Sequence, residues 1–116
     1  MADQRAGTHM TQGVRVGLSI PPAGFASHED AAAYVHGAAD AGLDHVFTAD
    51  HVAFFDGRGM DGLMKVSWLA GLHPTIGVYF GVYRLALRHP VAVARLVATL
   101  AQPAPGLLAF GACGGG

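Results

Sequence analysis

Four short apolar runs, each cut off by proline, glycine or a polar pair and separated by stretches of helical spacing, constrain this chain more than any other feature. VRVGLSI at 14–20 is a β-type run that Pro21 and Pro22 close. Ser27 opens SHED, with Asp30 three residues on, an approximate capping box for a helix over roughly 28–41. Tyr34, Val35, Ala38 and Ala39 share one face of it, and Gly42 follows as the residue past its end. His45 to Ala49 reads as the second strand. Asp61 can cap a second helix whose apolar surface comes from Leu63, Met64, Trp68, Leu69 and Leu72, with Pro74 as its stop.

The run IGVYFGVY at 76–83 is apolar on both faces, as a strand covered on both sides should be. Pro90 suits the first position of a third helix, along which Val93, Leu96, Val97 and Leu100 form a stripe that Pro103 and Pro105 end. Residues 107–110, LLAF, form a fourth strand running into GACGGG. The order β-α-β-α-β-α-β, with short connections, predicts an α/β fold of parallel strands joined by right-handed crossovers. Alternation leaves an open doubly wound sheet and a barrel both available. The polar and glycine-rich residues just past the strand ends point to a barrel, where active sites gather at that face.

Composition narrows the function classes. The net charge of -1 gives no electrostatic reason to bind nucleic acid or an anionic membrane, and no run of about 18 apolar residues is present. One cysteine excludes an internal disulfide and fits a reducing, cytoplasmic setting. Residues 1–13 read as a flexible polar arm and 14–116 as one domain. Hydrophobic residues make up 52% of the chain against 13% charged, which suggests surface that a further piece of protein covers.

The stretch VFTADHVAFFDG, 46–57, ends an apolar strand on Asp50 and His51. A carboxylate beside an imidazole can hold it cationic or fix one tautomer for proton transfer. The bland alternative has Asp50 capping the next turn and His51 packed under a loop. Phe54 and Phe55 could roof a pocket or anchor a loop. His28 and His36 lack the partners of a zinc set, and His73 and His89 each precede a proline, so no metal is expected. Arg84, Arg88 and Trp68 have bland defaults, surface for the arginines and core for the tryptophan. Cys113 reads as a buried thiol, with no partner histidine to make it a nucleophile.

VGLSIPP, AGLDHVFTADHV, LALRHPVAVARLVATL and LLAFGACGGG together resemble the luciferase-like monooxygenases, the LRHP segment being the most specific. The resemblance runs from about Val14 to Gly115 and corresponds to strands one to four of that family's (β/α)8 TIM barrel. It implies a flavin-type cofactor at the C-terminal mouth, a deazaflavin (coenzyme F-420) in preference to FMN, with a small organic substrate above it. By the same resemblance, Asp50 and His51 are the catalytic pair, with Asp50 also near the cofactor. A non-proline cis peptide falls at Gly81–Val82 as backing for the ring, and Gly111, Cys113 and Gly114 approach the cofactor closely. It leaves a homodimer open. Two other readings come from the residues alone: a non-catalytic half barrel that needs a partner chain, and a small α/β binding module.

Overall fold

A computed structural model describes residues 13–51 and 60–114. The predicted arm, apart from Gly13, and Phe54 and Phe55 lie outside the described residues. Strands β1 (Gly17–Ser19), β2 (His45–Thr48), β3 (Gly77–Arg84) and β4 (Leu108–Cys113) alternate with helices α1 (His28–Asp40), α2 (Gly62–Ala70) and α3 (Pro90–Ala101). A 3-10 turn, Leu85–Leu87, leads into α3. The strands form one sheet in the order β1-β2-β3-β4, all neighbours parallel. This is the arrangement of four successive strands of a (β/α)8 barrel.

Local chemistry accounts for most boundaries. The Ser27 hydroxyl accepts from the Asp30 N–H at 3.0 Å and starts α1, and Gly42 takes φ +80° just beyond its end. Asp61 accepts from the N–H groups of Leu63 and Met64 and starts α2. Pro90 holds the first position of α3, with His89 at the cap position but making no side-chain capping bond.

Four expectations need correction. The first strand is shorter than 14–20, because Val14 and Val16 stay exposed at the sheet edge. Helix α2 ends at Ala70 with Gly71 as its cap, before Pro74 is reached. Strand β4 runs on to Cys113, because its last residues still pair with β3: Tyr83 faces Ala112 and Arg84 faces Cys113. Trp68 is only half-buried, since it lies at the contact between α1 and α2, where its Nε1–H donates to His28 Nδ1 at 3.0 Å.

The core lies between the sheet and the helices. Val46, Val78 and Phe80 pack there with Val35 and Ala38 of α1 and Val66 and Leu69 of α2. Burying each such aliphatic side chain contributes about 1.5–3 kcal/mol. The opposite, concave face carries His45, Phe47 and Tyr79, all half-buried, so among the described residues β3 is covered on one side only, a further correction to the expectation of cover on both. His45 lies edge-on to Tyr79 with ring centroids 5.8 Å apart. No helix among the described residues is long and apolar enough to cross a membrane.

Candidate functional site

Parallel pairing in register brings three segments to one end of the sheet. Thr48 pairs with Phe80, and Phe80 with Phe110, so the residues that follow each emerge at the same C-terminal edge. Those residues are Asp50–His51, Gly81–Val82 and Gly111–Gly114. The polar pair and the glycine tail therefore share one mouth.

Between Phe80 and Tyr83 the β3–β4 register slips: β3 has two residues, Gly81 and Val82, where β4 has only Gly111. This is a bulge, and the Gly81–Val82 peptide within it is cis, at the position the resemblance implied. The extra residue resets the side-chain alternation, so Tyr83 is buried on the same side as Phe80. The two rings meet with centroids 5.3 Å apart. Val82, by contrast, is turned out to solvent. Glycine is required at position 111 by this packing, because a Cβ there would lie 2.7 Å from the Phe80 carbonyl oxygen and 3.1 Å from Tyr79 Oη. At Gly114 a Cβ would meet nothing within 4 Å.

Asp50 is 2% exposed, and its carboxylate accepts four hydrogen bonds from the described residues. The Gly62 N–H reaches Oδ1 at 3.2 Å and the Arg84 N–H reaches Oδ2 at 3.1 Å. The Arg88 guanidinium closes on both oxygens, Nη1 to Oδ2 at 2.7 Å and Nη2 to Oδ1 at 3.0 Å. A two-pronged contact of this kind is the strong form of the ion pair. Arg88 Nη2 also donates to Asp61 Oδ2 at 2.9 Å, and its Cζ stands 4.2 Å from the Tyr83 ring centroid. Asp50 thus ties the end of β2 to the start of α2 and the end of β3. The turn that the capping alternative would have Asp50 close lies outside the described residues. His51, the next residue, is exposed at the mouth.

The electrostatics follow from these contacts. Asp50 raises the Arg88 guanidinium's pKa by hydrogen bonding, against the opposing effect of burial. Burial would raise the Asp61 carboxyl, but the Met64 N–H and Arg88 outweigh it and hold its pKa below the ordinary carboxylate value. Burial raises the Tyr83 hydroxyl and lowers the Lys65 ammonium, with Asp50 countering the latter. Removing one partner of a buried pair such as Asp50–Arg88 typically costs about 3–5 kcal/mol, because the other charge is stranded.

Arg88 corrects the surface default set for it from sequence. The signal was present in two places: a carboxylate at a buried strand end needs a counter-charge, and LRHP was the most specific segment of the chain. What hid the link is the 38-residue separation from Asp50.

Two depressions lie beside this assembly. One, about 600 Å³, opens at the mouth between Leu85, Arg88, Pro90, Ala112, Cys113 and Gly114. The other, about 550 Å³, is an apolar groove between α2 and α3, lined by Leu63, Met64, Leu96 and Leu100, with Asp61 and Arg88 at its rim. Cys113 is a free, half-buried thiol. His36 and His73 form an edge-on pair 4.8 Å apart, and among the described residues no group of three or more His, Cys, Asp or Glu side chains is placed to hold a metal ion.

Known proteins agree with this architecture. Among solved structures, the chain is similar to the monooxygenase RslO1 from Streptomyces bottropensis, with TM-score 0.68 and 21% identity over 85% of this chain and 32% of that one. It is also similar to the oxygenating constituent of 3,6-diketocamphane monooxygenase from the CAM plasmid of Pseudomonas putida, a type II Baeyer-Villiger monooxygenase solved in complex with FMN. There the TM-score is 0.71 and identity 17%, over 90% of this chain and 30% of that one. The chain therefore spans about a third of the length of the structures it matches. No curated protein matches it. The family model for luciferase-like monooxygenases matches residues 2–116, nearly the whole sequence, and the chain belongs to that family.

Proposed function

We propose that this chain supplies part of the active-site mouth of a flavin-dependent oxidoreductase that oxygenates, or moves a hydride to or from, a small organic substrate. The observation that supports this reading is the delivery of Asp50–His51, Gly81–Val82 and Gly111–Gly114 to one end of three neighbouring parallel strands. The surface there suits the flat ring of such a cofactor: the exposed Val82 side chain, the Gly81–Val82 backbone and the open backbone at Gly114. Gly111 and Cys113, both in β4, belong to the same proposed cofactor-binding set.

A reduced flavin or deazaflavin supplies the hydride or activates oxygen, and the protein contributes placement and electrostatics. His51 is exposed at the mouth and is the group in this reading that holds or moves a proton beside the ring. Asp50 accepts four hydrogen bonds from protein, so its part is to fix the strand end from which His51 projects. We give priority to the deazaflavin, coenzyme F-420, on the TADHV segment, with FMN as the alternative. A cytoplasmic location and a homodimer complete the proposal.

Titration of the chain with each cofactor, followed by ring absorbance and fluorescence, tests it. Saturable binding of either cofactor that weakens in a His51→Asn variant is expected. Failure of both cofactors to bind would overturn the reading. The half-barrel alternative is favoured by the half-buried concave face of His45, Phe47 and Tyr79. Binding and turnover by the monomer would exclude it.

A further inference from the structure

Arg88 reaches three of the segments that meet at the mouth's polar corner. It holds the end of β2 through Asp50 and the start of α2 through Asp61. It also bonds back to the end of β3, where Nη1 donates to the Arg84 carbonyl oxygen at 3.2 Å. Tyr83, turned to the same side as Phe80 by the bulge, packs its ring against the guanidinium. The side chain is only 17% exposed, so the pair is poorly screened by solvent and the geometry is held.

We propose that Arg88 is a positioning residue for His51. This role rests on the flavin reading only for what His51 then acts upon. Asp50 and His51 are neighbours in the chain, the first buried and the second exposed, as alternation past a strand end dictates. Clamping the Asp50 carboxylate from α2, β3 and Arg88 fixes the backbone one peptide bond before the imidazole. A functional group needs such support to stay within a fraction of an ångström of its working position. Lysine in place of Arg88 keeps the charge but has no planar fork, so it cannot grip both Asp50 oxygens and Asp61 together.

Side-chain imidazole NMR spectra of the full chain test this, with the His51 signals assigned from a His51→Gln variant. In Arg88→Lys the His51 signals are expected to shift while those of His28 and His36, on α1, stay in place. A lowered melting temperature with unmoved His51 signals would make Arg88 a mere strut and overturn the inference. Should Arg88→Lys lose its ordered histidine signals altogether, Asp61→Asn carries the same test. That change loosens the clamp at its more exposed contact and keeps the buried pair. A shifted His51 supports the inference, and an unmoved one overturns it. A parallel FMN and deazaflavin titration keeps the two ideas apart: no binding by the wild type sinks the flavin reading, while the histidine shifts still judge the clamp.

Discussion

Gly62 and Asp50 stand closer than a side chain on the glycine would allow. The Gly62 N–H donates to Asp50 Oδ1 at 3.2 Å, and a Cβ on Gly62 would fall 2.7 Å from that same oxygen and 2.8 Å from Phe80 Cε1. The helix start can approach the buried carboxylate because nothing projects from its first residue.

Gly62→Ala is therefore expected to destabilise the protein, although alanine is the better helix former by about 1 kcal/mol. The obstacles are a buried carboxylate and a buried ring, and overpacking of that kind costs about 1–3 kcal/mol. Urea unfolding should show a lower midpoint with an unchanged slope. An unchanged or raised midpoint would mean that α2 shifts outward freely.

The bulge predicts a contrast between two glycines. In Gly111→Ala the new methyl meets the Phe80 carbonyl oxygen, Tyr79 Oη and Val82 Cγ1, so a loss of about 1–3 kcal/mol is expected. Gly114→Ala, with open space around it, should stay within about 0.5 kcal/mol of wild type. Thermal unfolding of both variants side by side checks this, and equal effects would refute it.

Phe80 is fully buried, with ring centroids 5.3 Å from Tyr83 and 5.5 Å from Phe110. Phe80→Ala should cost about 3–5 kcal/mol by leaving a cavity where sheet and helices meet. Met64→Ala, at a side chain exposed on α2, serves as the control and should change stability by about 0.5 kcal/mol or less. Denaturation midpoints that fail to separate the two would contradict the core assignment.

The pH dependence has a definite sign at Asp61. Its folded-state pKa is lowered, so its contribution is present above the unfolded carboxylate value of about 3.9 and fades as pH falls through the lower, folded value. Nearly half of this side chain is exposed, so solvent keeps the contribution small. Asp61→Asn retains a capping oxygen but cannot titrate. Melting curves should place the variant below wild type at neutral pH and bring the two together in acid. A constant gap across that range would remove Asp61 from the acid response.

Much of the architecture was legible because its causes are local. Ser27, Gly42, Asp61 and Pro90 act on groups within a few residues of themselves, and each stands at the helix end it was expected to make. The strand limits were less legible. Val16 has the residue type of a strand interior, but half of it lies exposed at the edge of the sheet, and the length of β4 depends on pairing with residues beyond the β3 bulge.

The alternation of strands and helices, the helix caps and the family were thus determined by the order of residues alone, since each needs only neighbours or a motif to be read. The joining of Asp50 to Arg88 was decided only in three dimensions. A long cationic side chain has solvent as its default surroundings. Only the shift in register that buries Tyr83, together with the approach of the α2 start made possible by Gly62, creates a place where burying that charge against two carboxylates is favourable.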